Sequence, residues 1–264
     1  MDIVYLNTKT KWDCKEIKFS IRSAEKFLTF DNLFIFGYLP DFINQKAIHI
    51  PFDDRGHKYD NVDKKMLLIL KDERISEDFI LMNDDFILLR EYKTIPYYYK
   101  GDLKQAVEKA GGRYKRRLEN TLKLFPDGKD FEVHFPIIFN KTKLSNLFKK
   151  YGQEIEKRSA YCNEYNVRKT QHKDHKVWEY SQLDKDAPFV SLTDEIQEMY
   201  FLQDFISERL PNPSSFEKNK ESEIRERIEH LKKIYELYKK KNPIKYEQKQ
   251  GEFKKQIKNI QNGL

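Results

Sequence analysis

The sequence predicts an α/β fold in which helices flank a mainly parallel sheet. Over the first 90 residues, short apolar runs that are typical of buried strands alternate with segments whose apolar residues recur at helical spacing. This alternation is typical of βαβ units, which build parallel sheets. The composition agrees, because 19 Phe and 16 Tyr supply large apolar faces, while a charged share of 35% predicts strongly solvated helices.

The amino-terminal elements follow from local patterns. We predict strands over residues 3–6, 33–36, 47–50, 79–82 and 86–89, and helices over residues 17–28 and 62–70. The second and third strands end at Gly37 and Pro51, which are residues that interrupt regular structure.

Beyond Thr94 the pattern becomes mainly helical. We predict helices over residues 103–110, 113–124, 143–157 and 196–206, a strand over 131–135, and a loop or lid over the polar residues 163–186. Apolar residues at helical spacing recur over 224–238 and, more weakly, over 253–260. The chain is therefore divided into a main domain, 1–215, and a C-terminal helical appendage, 216–264.

Composition also narrows the class of protein. No long uncharged run is present, and the chain begins directly in a strand pattern, so we expect no membrane span and a cytoplasmic protein. Cys14 and Cys162 fit neither a disulfide framework nor a zinc spacing, and we interpret both as reduced thiols. The net charge of +7 suits a polyanionic partner without requiring one.

The segment Asn83-Asp84-Asp85 directly follows the fourth predicted strand. Open parallel sheets bind ligands at the carboxyl ends of their strands, and carboxylates placed there need a partner or a cation. Mg²⁺ or Mn²⁺ suits such oxygen ligands and can bridge the diphosphate of a nucleotide. The alternative is a plain turn between two strands, because Asn and Asp favour turns.

Five segments carry a family resemblance: residues 3–5, 16–26, 39–42, 76–86 and the element His134-Phe135-Pro136. In this order they resemble GT-A glycosyltransferases of the Stealth-like form, with its helix carrying Leu-Arg-Ser then Glu-Lys and its strand ending in Asn-Asp-Asp. The family's Thr-Trp-Val-Asp-Gly is absent, and Leu6-Asn7-Thr8-Lys9 stands in its place. In character the chain is nearest to phage-encoded and base-J-type DNA glycosyltransferases.

The resemblance implies a GT-A-like (Rossmann-like) sheet with a helical acceptor-side region from about residue 95. It implies a metal-dependent enzyme that uses a nucleotide-sugar donor, with a UDP-sugar favoured and Mn²⁺ or Mg²⁺ as the cofactor. The implied donor-binding residues are Tyr5, Asn7, Arg22, Asp54, Asn61, Asn83 and Asp84. The implied metal ligands are Asp84, Asp85 and His134, of which Asp85 and His134 are also the catalytic candidates.

Several of these roles have an alternative. His134 could be a metal or diphosphate ligand, the base that deprotonates the acceptor, or a structural residue. Arg22 could instead be an exposed helix charge, and Asp194 a helix N-cap. Asp194, Arg158 and Ser215 are weaker acceptor-side candidates, whereas His49 is expected in the core.

A basic segment over residues 109–123 contains a single acid, Glu119. Its candidate DNA-binding residues are Arg113, Lys115, Arg116, Arg117 and Lys123, with Tyr97, Tyr98, Tyr99 and Tyr114 to stack on an exposed base. The leading hypothesis is therefore sugar transfer to a hydroxymethylated pyrimidine in phage DNA, within the host cytoplasm, after extrusion of the base. The alternatives are sugar or sugar-phosphate transfer to a surface polysaccharide, and a non-catalytic nucleic-acid-binding protein with a solvated basic helix.

Overall fold

A five-stranded sheet organises the protein, for which a computed structural model describes residues 1–10, 15–193, 200–218, 228–229, 231–236, 239–240 and 251–258. The strands are β1 (Asp2–Asn7), β2 (Leu33–Gly37), β3 (Ile48–Ile50), β4 (Asp78–Met82), β5 (Phe86–Leu88), β6 (Tyr97–Tyr99), β7 (Gly101–Asp102), β8 (Lys129–Asp130), β9 (Ile137–Asn140), β10 (Lys169–Gln171), β11 (Lys176–Val177) and β12 (Phe189–Leu192). The helices are α1 (Lys15–Phe27), α2 (Lys58–Lys71), α3 (Leu103–Lys109), α4 (Gly112–Leu124), α5 (Lys141–Tyr151), α6 (Lys157–Glu164) and α7 (Tyr200–Arg209).

The main sheet has the strand order β3-β2-β1-β4-β9. Its first four strands are parallel, and β9 runs antiparallel to β4, with Leu81 opposite Ile137. This confirms the predicted α/β class with a mainly parallel sheet flanked by helices. Because β9 is reversed, its amino-terminal end lies at the same sheet edge as the carboxyl ends of β1 to β4. His134, three residues before β9, is thereby brought towards Asn83-Asp84-Asp85.

Alternating side chains of the buried strands feed two hydrophobic clusters, one on each face of the sheet. On one face, Ile17, Ile21 and Ala24 of α1 belong to the same cluster as Ile3 and Ile35 of the strands. On the other face, α2, α5 and α6 contribute to a cluster with the alternate strand residues: Val4, Phe34, Phe36, Phe79, Leu81, Phe139, Met66, Ile69, Leu144, Leu147 and Ala160. On each face of the sheet, the apolar side chains of the strands therefore pack against the apolar side chains of the helices.

The fifth predicted strand forms as β5, which pairs with β12 outside the main sheet. Other predicted elements differ from the structure. The strand predicted over residues 131–135 is wrong: Phe131 donates its backbone N–H to the hydroxyl of Ser159, and Phe135 donates to the carbonyl of Val133, so no ladder forms. The helix predicted over residues 143–157 is interrupted at Gly152, whose φ of 74° lies in the left-handed region that favours glycine.

The C-terminal part begins inside the main body. Phe216 belongs to the cluster beneath α1, and Lys218 donates its backbone N–H to the carbonyl of Phe42. Residues 231–236 and 251–258 are helical, and the rings of Tyr235 and Phe253 lie 5.4 Å apart. No helix in the described part of the chain is both long and apolar enough to cross a membrane.

Candidate functional site

Asn83-Asp84-Asp85 forms a turn after β4, and α1 holds this turn in place. The Ser20 hydroxyl donates to the carbonyl oxygen of Phe86 at 2.5 Å and also lies 3.3 Å from the carbonyl oxygen of Asn83. Ser23 accepts a hydrogen bond from the backbone N–H of Leu88 at 3.0 Å. The turn and the ligand site are therefore compatible interpretations, because a clamped turn presents both carboxylates at the carboxyl edge of the sheet.

The two carboxylates have different surroundings. Oδ2 of Asp85 accepts a hydrogen bond from the Ser191 hydroxyl at 2.5 Å and lies 3.5 Å from Nζ of Lys176. Asp84 lies on the side of Lys65: burial lowers the pKa of Lys65, while its hydrogen bond to Asp54 and the negative charges of Asp54 and Asp84 oppose that shift. Each carboxylate is thus half-buried near a different lysine.

An open groove of about 730 Å³ lies at the carboxyl ends of β1, β2 and β3. Its lining residues are Thr8, Lys9, Gly37, Tyr38, Leu39, His49, Pro51, Phe52, Asp53 and Asp54. The expectation that His49 lies in the core is wrong, because β3 is the edge strand and exposes it. Nε2 of His49 lies 2.8 Å from the carbonyl oxygen of Gly37. Aromatic faces combined with a few polar groups are typical of small-molecule sites of this size.

Lys65 of α2 is 1% exposed and lies behind the lining residues of this groove, and its contacts with them are called the groove floor below. Its ammonium group donates to the carbonyl of Asn7 at 2.8 Å and to the hydroxyl of Thr8 at 3.1 Å, and it pairs with Asp54 at 2.7 Å. Gly37 has a φ of 113°, and a Cβ there would lie 2.0 Å from the Asn7 carbonyl oxygen and 2.8 Å from Nζ of Lys65. The floor therefore requires glycine at this position.

Two buried amide side chains lie beside the floor. Asn7 donates from Nδ2 to the carbonyl of Tyr38 at 2.7 Å, and Asn61 precedes Lys65 by one turn of α2, which places both on one face. Oδ1 of Asn7 and Oδ1 of Asn61 are buried, and neither has a hydrogen-bond partner among the described residues. An unmet buried acceptor costs about 1–3 kcal/mol, so both oxygens are candidates to accept a hydrogen bond from a bound ligand or water.

His134 lies at the opposite side of the acidic turn. Its ring packs edge-on against Phe86, with the ring centroids 6.2 Å apart, and Nδ1 lies 2.7 Å from Oδ2 of Asp174. The guanidinium of Arg158, a weaker candidate from the sequence, lies 5.3 Å from the centroid of the same Phe86 ring. The elements around β9 and α6 therefore bring two polar side chains to the residue that follows Asp85.

The predicted metal ligands are Asp84, Asp85 and His134, and their side chains fit a divalent metal ion only in part. No group of three His, Cys, Asp or Glu side chains within the described residues could hold a metal ion. Mg²⁺ in nucleotide-dependent enzymes takes one or two carboxylates and completes its shell with phosphate and water. Asp84 and Asp85 supply carboxylate oxygens of the kind that such an ion takes, and the metal ligands Asp84, Asp85 and His134 stay a prediction.

Other sequence candidates lie away from the groove. Arg22 is 4% exposed and makes a bidentate ion pair with Glu217, at 2.8 and 2.9 Å, so its guanidinium is directed to the C-terminal segment rather than to a donor. Tyr5 is fully buried, with its hydroxyl 3.0 Å from that of Ser20, and it supports the acidic turn from beneath. Ser215 donates its backbone N–H to Glu25. Asp194 lies outside the described residues.

The basic helix α4 is largely committed to ion pairs. Arg113 binds Asp60 and Glu154, each at 2.5 Å. Arg117 is 1% exposed and cannot reach a phosphate, which corrects its assignment to a DNA-binding surface. Arg116 and Lys123 are exposed and Lys115 is half-buried. Of the tyrosines expected to stack on a base, Tyr98 is 8% exposed and belongs to the core.

Four side chains of the site were missed by sequence reasoning: Lys65, Asp174, Lys176 and Ser191. Lys65 had a usable signal, because it follows Asn61 by four residues on the same predicted helix. Asp174 and Lys176 lie in the polar stretch that was assigned to a lid, where many other charges surround them. Only the pairing of β11 with β12, and of β12 with β5, brings Lys176 and Ser191 to Asp85.

Comparisons with known proteins find distant structural likeness among solved structures alone. No family model matches the sequence, and no curated protein matches it. Among solved structures, a galactosyltransferase, LgtC, in complex with donor and acceptor sugar analogues is similar over 81% of this chain and 97% of its own length. The TM-score is 0.46 and the identity 7%. A likeness at this level does not show a shared function, and the geometry of the site is the basis for the function proposed below.

Proposed function

We propose that the protein is a glycosyltransferase that moves a sugar from a nucleotide-sugar, with a UDP-sugar favoured, to a hydroxyl acceptor. The observation that carries this proposal is the clamped pair Asp84 and Asp85 beside a groove of about 730 Å³ at the carboxyl edge of the sheet. Open α/β sheets bind nucleotides at this edge. The groove would take the base and ribose, and the diphosphate would extend towards the carboxylates.

The groove offers matching groups for a nucleoside. Tyr38 and Phe52 provide aromatic faces for a base. Oδ1 of Asn7 and Oδ1 of Asn61, both lacking partners among the described residues, can accept hydrogen bonds from base N–H or ribose O–H groups. Lys65 beneath the groove adds a positive charge near the phosphates.

The side chains around the acidic turn have distinct roles in the proposed reaction. The acceptor oxygen bonds to the anomeric carbon, the bond from that carbon to the diphosphate breaks, and the nucleoside diphosphate leaves with the electron pair. His134 would take the proton of the acceptor hydroxyl. Asp85 would orient the donor sugar, and Lys176 would place its charge near the leaving group. A Mn²⁺ or Mg²⁺ ion held by Asp84 and Asp85 would, when bound, neutralise further charge on the diphosphate.

A hydroxymethylated pyrimidine in phage DNA is the leading acceptor within this proposal. The net charge of +7 and the exposed Arg116 and Lys123 support it. The ion pairs that occupy Arg113 and Arg117 favour the second candidate, a surface polysaccharide. Mass spectrometry of hydroxymethylated DNA, plain DNA and glycan acceptors, each incubated with a panel of nucleotide-sugars, separates the two: a mass gain confined to glycans would exclude the DNA acceptor.

Donor binding tests the glycosyltransferase assignment itself. We expect a nucleotide-sugar at 100 times its Kd, with Mn²⁺ present, to stabilise the protein by about 2.7 kcal/mol in a thermal unfolding assay. Asp84→Asn should abolish the effect, whereas Asp127→Asn, an exposed carboxylate far along the chain, should preserve it. Stabilisation by none of the nucleotide-sugars would sink the proposal.

A further inference from the structure

His134 is held at both its ring and its backbone. Asp174 accepts two hydrogen bonds from it, one from the backbone N–H to Oδ1 at 3.2 Å and one between Nδ1 and Oδ2 at 2.7 Å. Nη1 of Arg158 donates to the carbonyl oxygens on either side, those of Val133 at 3.3 Å and Phe135 at 2.5 Å. Because no ladder holds residues 131–136, these side chains set the orientation of His134.

Asp174 is surrounded by hydrogen-bond donors. Its Oδ1 faces the backbone N–H of His134, and its Oδ2 faces the His134 ring and the ammonium group of Lys100, whose Nζ lies 3.7 Å away. Nζ of Lys100 is held in place because it donates to the carbonyl of Glu132 at 2.8 Å. A carboxylate among these groups accepts hydrogen bonds from them.

The carboxylate of Asp174 beside Nδ1 determines which ring nitrogen of a neutral His134 carries the hydrogen. Nδ1 must carry the hydrogen to donate to Asp174, so the lone pair lies on Nε2. No described residue makes a hydrogen bond to Nε2, and the ring stands beside Phe86, the residue after Asp85. Nε2 is thus the nitrogen left for a substrate.

We propose that Asp174 is a positioning residue of the reaction centre, which holds His134 as the Nδ1–H tautomer so that Nε2 acts on the substrate. This inference rests on the proposed glycosyltransferase function. It also gives a role to residues 172–175, which β10 and β11 anchor to β6 and β12 at either end. The segment that the sequence marks as a lid supplies the orienting carboxylate of the site.

The tautomer can be measured directly on the protein. In ¹⁵N-labelled full-length chain at a pH where the imidazoles are neutral, long-range ¹⁵N–¹H correlation spectra distinguish protonated from unprotonated ring nitrogens. His134→Gln identifies the His134 signals among the 6 histidines. We expect the Nδ1–H form in the wild type and a mixture in Asp174→Asn, because the amide offers one acceptor oxygen in place of two. A wild type with the proton on Nε2 would overturn the inference.

Kinetics then separate positioning from folding. We expect Asp174→Asn to lower kcat roughly 10- to 100-fold, as removal of a group that orients an active histidine does, with UDP binding unchanged by thermal shift. Asp174→Glu should restore part of kcat, and Asp186→Asn, an exposed carboxylate on the same stretch, should behave as the wild type. Unchanged kcat in Asp174→Asn refutes the positioning role, whereas a wild type that binds no nucleotide refutes the glycosyltransferase assignment and leaves the tautomer measurement standing.

Discussion

Arg22 shows, at the scale of one residue, that a charged side chain predicted to bind a donor can instead be paired inside the fold. Its guanidinium is bidentate with Glu217, whose side chain is 3% exposed, and also donates to the carbonyl of Leu210 at 3.2 Å. Removing one partner of a buried pair leaves the other charge buried without compensation, which is strongly destabilising. Arg22 therefore ties α1 to the C-terminal segment.

We accordingly expect Arg22→Met to lower the free energy of unfolding by about 3–5 kcal/mol. Lys26→Met, on the same helix but exposed, should change it by less than about 0.5 kcal/mol. Urea denaturation measures both. The affinity of the folded Arg22→Met protein for UDP should equal that of the wild type, and a selective loss of UDP affinity with stability intact would restore Arg22 to the donor site.

At the scale of elements, a buried ion network joins α2, α4 and α6. Arg117 of α4 donates to Glu156 at 3.0 Å and to Asp63 of α2 at 3.1 Å, and also reaches the carbonyl of Ile155 at 2.6 Å. Lys157 of α6 pairs with the same Asp63. These contacts fix three helices around one guanidinium, so the basic character of α4 serves packing as well as any surface role.

The matched pair Arg117→Met and Arg116→Met tests this division. Arg117→Met should cost about 3–5 kcal/mol of unfolding free energy, because it removes the guanidinium that binds the buried Glu156 and leaves Asp63 with Lys157 alone. Arg116→Met, which removes an exposed pair with Glu154 at 3.2 Å, should cost about 0–1 kcal/mol. Equal effects in chemical denaturation would contradict the assignment of Arg117 to the core.

The sequence predicted those elements whose signals are local. Strands β1 to β4 and helices α1 and α2 each carry their own apolar period, and the carboxylates of Asp84 and Asp85 follow directly from the end of one of them. The strand expected over 131–135 failed because alternating burial there is not accompanied by a ladder. Local periodicity therefore predicted the part of the site that contains Asp84 and Asp85.

The rest of the site depends on contacts between distant segments. Ser191 lies 106 positions from Asp85, and Asp174 lies 40 positions from His134. Arg22 and Glu217 are 195 positions apart, so neither periodicity nor composition could show that this arginine is already paired. Such partners are fixed by strand pairing and helix packing, which single-residue patterns do not encode.

At the scale of the whole molecule, only some of the basic side chains behind the net charge of +7 can attract a polyanion. Several basic side chains, Arg22, Lys65, Arg113, Arg117 and Lys157, are engaged by carboxylates. The exposed lysines and arginines elsewhere therefore dominate the long-range field, which governs association with a polyanion.

We expect binding of duplex DNA to weaken steeply with salt, and the triple replacement of Lys115, Arg116 and Lys123 by Ser to reduce the slope of log K against log salt by about 3. Fluorescence anisotropy at several salt concentrations measures the slope. Replacing the exposed Lys232 and Lys233 by Ser serves as the control, and an equal reduction there would show that α4 is not the contact surface.

Because Gly37 lies so close to the backbone of β1 and to the Lys65 side chain, substitutions at positions 37 and 65 are expected to be linked in evolution. Any side chain at Gly37 would meet the Asn7 carbonyl oxygen and the Lys65 ammonium group, so a relative can lose this glycine only if β1 and α2 move apart. Distant relatives that keep the groove should keep Gly37 and a long cation at 65 together, even where overall identity has vanished. This pair of positions gives a means of finding such relatives among divergent sequences.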